Sequence, residues 1–404
     1  MPSYSYLARD EQGKAVTGTM VAPTQEALAD ELKRMGYLVT RTRELREDRV
    51  GFESLLQHVQ RVSFDELVLF NIQLSKMIQV GIPLLTALKV LEAQTANRRL
   101  RGAIGDVARN VEAGLSFSEA LTRHPRIFSP LFVSMIEAGE TSGKLDEILS
   151  RLAQFAQHQA ELRQQLTTAL TYPCLLFIVG VGIVVFLVTG IIPKFMKIFL
   201  EAGVPLPLPT LLLHRLSEVV RHHGVWMLLV VVGVGVALSQ SLRTPQGRRH
   251  WDAWLLRLPV IGSLVRHVAL SRFARTFETL TSSGVPILES LAIVEQTTGN
   301  AVLGDVVRSV QTSVRQGGSL AEPLKVSQEF PPMAVQMISV GESSGTLDHM
   351  LGQLADHYDL LVRHGIKRAT AFVEPLFLAI MGGGVAFIMA SMLLPLFRMV
   401  SVIR

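Results

Sequence analysis

Apolar residues along this chain follow two patterns. In the first they recur every three or four positions. From Phe64 the run Phe64, Leu67, Val68, Leu74, Met77 and Ile78 falls on one helical face. Gly81-x-Pro83 interrupts it, the glycine suiting a helix end and the proline a first helical turn. Leu85, Leu88 and Leu91 carry a second helix that stops near Asn97, and a third over Leu100 to Glu112 ends at Gly114. Ser116 or Ser118 is placed to cap a short helix ending near His124, and Pro125 and Pro130 bracket the next turn. A second corner, Gly-Glu-Thr-Ser-Gly-Lys-Leu-Asp over 139–146, precedes a run from Leu145 to Leu166. The pattern predicts about six helices, counting the one that leads out of the segment.

In the second pattern apolar residues run together without charge. Thr171 to Pro193, Gly224 to Leu242 and Pro375 to Phe397 each approach the roughly 20 residues a helix needs to cross hydrocarbon. A helix satisfies its own backbone polar groups and is the natural spanning form. Buried core helices of a soluble protein are the alternative. Gly180/Gly182 and Gly233/Gly235 invite close helix contact, and their apolar setting excludes a dinucleotide fingerprint. The opening residues, Met1 to Lys14, contain no apolar run, so the amino terminus is expected in the cytoplasm and, with three spans, the carboxyl terminus outside. Arg243, Arg248, Arg249, Arg363, Lys367 and Arg368 flank the spans on the side expected to be cytoplasmic. Residues 194–223 hold only four Lys/Arg and are expected to form a periplasmic loop.

The helical segment occurs twice. Gly81-Ile82-Pro83-Leu84-Leu85 matches Gly284-Val285-Pro286-Ile287-Leu288 at an offset of 203, and 139–146 matches 341–348 at 202. Pro130, Pro173 and Pro193 align with Pro332, Pro375 and Pro395. Two repeats, 61–170 and 264–374, are thus each followed by a span, at 171–193 and 375–397. The span at 224–242 returns the chain so that both repeats face the same side. Residues 1–56 differ: two strands over Ser3–Ala8 and Ala15–Met20, a helix Gln25–Met35 capped by Thr24, and a last strand Tyr37–Thr40 predict a small α+β module. The mixed-charge stretch Arg41 to Arg49 reads as linker.

Composition narrows the function. Apolar residues make up 49% and charged residues 18% of 404, too much to bury for a disordered chain. One cysteine, Cys174, excludes a disulfide scaffold and a multi-cysteine zinc site. A net charge of +5 spread over this length points away from nucleic acid. Neither a phosphate-binding Gly-x-x-x-x-Gly-Lys-Ser/Thr loop nor His-Glu-x-x-His is present, so no enzyme is expected. The conspicuous positions are Gly81, Pro83, Gly139, Glu140, Gly143 and Asp146 with their counterparts Gly284, Pro286, Gly341, Glu342, Gly345 and Asp348. They read as helix punctuation or as oligomer contacts. Glu137, Glu140, Asp146 and Glu147 are a candidate calcium set, or caps of the helix after the corner. Glu374 sits at the membrane entry, as an interfacial anchor, an inter-subunit contact or part of a proton path.

Tyr-x-Tyr-x-Ala-Arg-Asp at 4–10, Gly13-Lys14, Gly18, the duplicated Gly-x-Pro and the duplicated Gly-Glu-x-Ser-Gly-x-Leu-Asp together resemble the inner-membrane protein F family of bacterial type II secretion and type IV pilus assembly. The resemblance covers essentially the whole chain. It implies an all-α membrane protein: a duplicated cytoplasmic bundle, three transmembrane helices and the small amino-terminal module. It also implies a multi-pass homo-oligomer of the bacterial inner membrane that couples a cytoplasmic ATPase to the addition of pseudopilins or pilins and contacts other inner-membrane assembly proteins. Some members of the family hold calcium between cytoplasmic domains, which bears on the acidic residues near 137–147. A transporter or channel is the rival class. It would need more spans and polar groups within them.

Overall fold

The computed structural model describes residues 3–9, 15–22, 25–45, 62–201, 207–259 and 261–402. The chain divides into two compact units, Met1–Ser63 with Leu88–Arg109, and Phe64–Ala87 with Asn110–Arg404. In the first, strands Ser3–Arg9 (β1), Ala15–Val21 (β2) and Leu38–Leu45 (β3) form an antiparallel sheet of order β2-β1-β3. Helix Gln25–Arg34 (α1) lays Leu28 and Leu32, one turn apart, into a small core with Ala22, Met20, Tyr37 and Val39. Residues 41–45, expected as linker, instead complete β3. Their alternation of threonine and arginine suits a strand, and charge on an edge strand discourages pairing with another chain. Thr24, expected to cap α1, and 46–49 lie outside the described residues.

The repeats are visible as matched helices. Phe64–Gln79 (α2), Leu84–Gln94 (α3), Arg98–Glu112 (α4), Phe117–Thr122 (α5), Pro130–Ser142 (α6) and Leu145–Phe186 (α7) form the first set. A π-helical segment Leu187–Ile191 and helices Ile192–Glu201 (α8), Leu208–Ser241 (α9) and Pro245–Arg257 (α10) follow. The second set is Ile261–Ser282 (α11), Ile287–Thr297 (α12), Ala301–Arg315 (α13), Ala321–Ser327 (α14), Pro332–Ser344 (α15) and Leu347–Val402 (α16). Asparagines 203 residues apart start α4 and α13: Asn97 Oδ1 accepts the amides of Arg99 and Leu100, and Asn300 Oδ1 those of Val302 and Leu303. The change of offset from 203 to 202 falls at the turn after α5 and α14. There Gln328 adopts a left-handed φ of 58°, whereas Arg123 at the first turn is right-handed.

Helices α7 and α16 run without a break from the corner motif into the uncharged stretches, with Pro173 and Pro375 inside them. The helices Leu145–Phe199 and Leu347–Pro395 are long and apolar enough to cross a membrane. Their apolar side chains point away from the protein, Phe177 and Ile178 being 63% and 68% exposed, a surface that suits lipid. The middle stretch meets the same test only as a pair, Leu208–Gly224 and Leu229–Ser241, bent by 67°. Gly180 brings α7 close to α16: a Cβ there would stand 2.6 Å from Phe377 Cζ. Gly182, Gly233 and Gly235 face open space.

The expected loop at 194–223 is largely helical, in α8 and the first half of α9. Ile192, Met196 and Phe199 share a buried cluster with Val188, Leu213 and Ile388, and that burial holds α8 despite Lys194 and Lys197. Two hydroxyls of α9 complete the core. Proline has no N–H, so Pro395 leaves the carbonyl four residues earlier, Ser391 O, without its helical donor, and Thr210 Oγ1 donates to it at 2.5 Å. In the π segment Ile192 N–H bonds Leu187 O, so the donor due to Val188 O would be the missing N–H of Pro193. Ser217 Oγ donates to Val188 O at 2.6 Å. The helix without a repeat partner thus compensates the equivalent prolines of both spans. Thr210→Val and Ser217→Ala are each expected to destabilise the full chain by about 0.6 kcal/mol, up to roughly 1.7. Melting in detergent checks this, and additive losses are expected for the double variant.

Candidate functional site

The corners are helix ends built around left-handed glycines. Gly81 and Gly284 have φ of 85° and 82°. Gly81 N–H bonds Ile78 O and the next amide, Ile82, bonds Met77 O; Gly284 and Val285 repeat this on Thr281 and Leu280. Pro83 and Pro286 precede the following helices rather than occupying their first turns: their carbonyls accept the amides of Ala87 and Ser290. Gly143 and Gly345, φ 69° and 71°, close α6 and α15 in the same way. Gly139 and Gly341 have a different role. A Cβ on Gly139 would lie 3.1 Å from Ile148 Cβ and 3.3 Å from Leu145 Cα, and one on Gly341 3.0 Å from Leu347 Cα. These glycines let α6 and α15 turn tightly onto α7 and α16. Gly143→Ala, with open space around it, is expected to cost only the left-handed backbone term, about 1 kcal/mol. Gly139→Ala must also displace helix backbone and is expected to lower the melting temperature further.

The glutamates of the corner motif reach backward along the chain. Glu140 Oε1 accepts the amide of Phe117 at 2.6 Å, and Oε2 accepts the Ser118 amide at 3.0 Å and the Ser118 hydroxyl at 2.5 Å. Glu342 accepts the amides of Leu320 and Ala321 at 2.7 and 3.4 Å. The carboxylate therefore satisfies the open amides of the short helix α5 or α14, not of the helix after the corner as expected. Beside it Ser116 and Glu119 form a reciprocal capping box. Asp146 and Asp348 are exposed in the first turns of α7 and α16. The proposed calcium set does not fit a cation that takes six to eight converging oxygens. Glu140 is engaged by α5, Glu147 pairs with Arg151 at 3.0 Å and Lys144 at 3.9 Å, and Glu137 is exposed. Among the described residues no three His, Cys, Asp or Glu side chains gather as a metal site. Glu374 is exposed on α16, next to Pro375.

The most buried ionic cluster has no counterpart in the sequence reading. Asp359 on α16, 5% exposed, accepts Ser271 Oγ at 2.5 Å and Arg275 Nη2 at 2.8 Å, both from α11. His158 Nε2 of α7 lies 3.1 Å from its Oδ2, and Arg275 also bonds Asp356. Burial alone would push the Asp359 carboxyl up. Contacts with His158, Ser271 and Arg275 outweigh it and hold the group at about 2. Nearby, Arg151 of α7 donates to Ser282 Oγ of α11 at 2.9 Å. The first repeat's long helix is thereby fastened to two helices of the second. At the 202–203 offset these positions hold no matching residues: Gln157 stands opposite Asp359, Ile72 opposite Arg275 and Val68 opposite Ser271. Repetition, which exposed the corner motifs, gave no signal here. Asp356 and Asp359, three positions apart on α16, and Arg275 among the apolar residues of α11 were the local cue.

A family model described as type II secretion system (T2SS), protein F matches residues 70–193 and again 273–395, and a model of that protein's N-terminal domain matches 1–43. The chain is 41% identical over 406 residues to type IV pilus assembly protein PilC of Thermus thermophilus, covering 99% of this chain and 98% of the relative. It is 34% identical to PilC of Myxococcus xanthus over 401 residues, covering 99% and 96%. It is 32% identical to type II secretion system protein F of Vibrio cholerae over 404 residues, covering 99% and 98%.

Proposed function

Because the chain belongs to the type II secretion system protein F family, we propose that it is the inner-membrane platform of a type II secretion system, coupling a cytoplasmic secretion ATPase to pseudopilus assembly for export across the outer membrane. The family is a structural part of secretion and pilus-assembly machinery, not known as an enzyme. The observation that carries the reading is the pair of unbroken helices. α7 and α16 have 42 and 56 residues, about 63 and 84 Å at the helical rise, and each joins a corner of a charged helical repeat to an uncharged stretch. A push on the repeats is transmitted along such rods, and the cluster around Asp359 makes the two rods move together. In this reading the chain crosses three times, which puts its termini on opposite sides, the amino terminus in the cytoplasm and the carboxyl terminus in the periplasm. The second bent pair, Pro245–Arg257 with Ile261–Ser282, carries Arg266, Arg272 and Arg275 and is not counted as a span in this reading. Partners in this reading are further copies of the chain, the ATPase, inner-membrane assembly proteins and pseudopilins.

Pilus assembly is the second reading, favoured by the 41% identity to a PilC over nearly the full length. Cross-linking of the tagged full chain in native membranes, followed by mass spectrometry, tests the platform. An ATPase of a secretion or pilus system is the expected partner, and its absence would overturn the reading. Deletion separates the two systems: loss of exported protein with pili intact supports secretion, and the reverse supports pilus assembly. A tag at Arg404 that is accessible only from the cytoplasm would overturn the three-span topology.

A further inference from the structure

Four arginines meet where the second uncharged stretch ends. Arg243 directly follows Leu242, Arg248 and Arg249 lie in the first turns of α10, and Arg308 reaches them from α13. With Leu242 they line an open cavity of about 650 Å³. Their carboxylate partners are fewer. Arg249 is 3.1 Å from Asp305, Arg308 bonds Asp305 and Glu295, and Arg248 is 4.0 Å from Asp252, whose Oδ2 already accepts the amide of Ala301. Three carboxylates thus serve three of the four guanidinium groups, and Arg243 has no ion pair among the described residues. Three of the arginine side chains are more than half exposed.

We propose that this cavity binds the phosphate of an anionic phospholipid headgroup. The inference rests on reading 224–242 as a span, which puts Leu242 at the edge of the hydrocarbon and the arginines at headgroup depth. Guanidinium forks match phosphate oxygens. Exposed and partly paired arginines attract a dilute free anion weakly, because water and salt screen them. A lipid is held beside the cavity by its own chains, so its headgroup is present at high effective concentration. Each arginine near an anionic surface strengthens such binding about fivefold.

Delipidated full-length protein in nonionic detergent, titrated with pyrene-labelled phosphatidylglycerol or phosphatidylcholine, tests this through energy transfer from the chain's three tryptophans, Trp226, Trp251 and Trp254. Phosphatidylglycerol is expected to bind at least about tenfold more tightly. Arg243→Gln, which breaks no ion pair of the described residues, is expected to weaken it about fivefold. The triple variant Arg243→Gln, Arg248→Gln, Arg249→Gln is expected to lose the preference. Removing equal charge at the third span, with Arg363→Gln, Lys367→Gln and Arg368→Gln, is expected to retain it. Equal binding of the two lipids by the native chain, or an undiminished preference in Arg243→Gln and the triple variant, would overturn the proposal. So would complete displacement of the labelled lipid by millimolar inorganic phosphate, which would make a free anion the ligand. Failure of the native chain to capture an ATPase sinks the platform reading and leaves this titration standing. Capture without lipid preference sinks only the present proposal.

Discussion

Replacing Asp359 with alanine is expected to destabilise the full chain by about 3 kcal/mol. Breaking a buried ion pair from one side costs roughly 3–5 kcal/mol, because the remaining charge stays out of water without its partner. Arg275, 20% exposed, would keep Asp356, which places the loss at the lower end of that range. Ser271, 1% exposed, would lose its acceptor as well. Asp359→Asn preserves shape and one acceptor and is expected to lose less. The cluster also sets an acid limit. The folded-state value of about 2 lies below the unfolded carboxyl, so the contribution is complete above pH ~4 and is lost as pH falls from there toward 2. The size of that contribution is about 2 kcal/mol. Melting of the detergent-solubilised chain from pH 7 downward should show the decline in the parent and a shallower one in Asp359→Asn. Identical curves for the two would remove the cluster from the list of stabilising features. A merely stabilising role and a coupling role are separable: coupling predicts that filament assembly falls in Asp359→Asn even at temperatures where the variant remains folded.

Glu140→Ala is expected to cost about 3 kcal/mol, with the damage concentrated in α5. A six-residue helix cannot sustain itself, since helix nucleation is unfavourable and four amides at its start lack intrahelical acceptors. Glu140 satisfies two of those amides and the Ser118 hydroxyl. Bonds to a charged group contribute about 1.5–3 kcal/mol each, and partial exposure of this site reduces the sum. Hydrogen exchange at the Phe117 and Ser118 amides should accelerate before the rest of the chain responds. Glu342→Ala is expected to have about half the effect, because α14 has alanine at 321 where α5 has Ser118, and one of its two amide bonds is long, at 3.4 Å. Unchanged exchange at Phe117 in Glu140→Ala would show that the carboxylate does not hold α5. Glu140→Gln, which retains one carboxamide oxygen as acceptor, should fall between parent and alanine.

How much of this was legible in the chain depends on the range of the cause. Glycines at 81, 143, 284 and 345 end helices because a left-handed residue is needed at that point, and the need is met within five residues. Uncharged runs of about twenty residues announce spans for an equally local reason. Glu140 was conspicuous, yet its partners lie 22 and 23 residues earlier, so the helix it serves was misjudged. Residues 194–223 looked like a loop because they lie between two uncharged stretches and hold only four Lys/Arg. The helix α8 exists because Ile192, Met196 and Phe199 find Leu213 and Ile388. Nothing near those residues in the chain announces that meeting.

Duplication, the corners, the helical class and the family were present in the order of residues, since each is an effect of backbone conformation or solvent preference acting over a few turns. Three things waited for the folded molecule: the bracing of Pro193 and Pro395 by Ser217 and Thr210, the clamp of Glu140 on α5, and the Asp359 cluster that joins the repeats. Each is a polar group left unsatisfied by its own helix and completed by a distant one. Local sequence shows the unmet donor or acceptor. Only packing brings the partner to it.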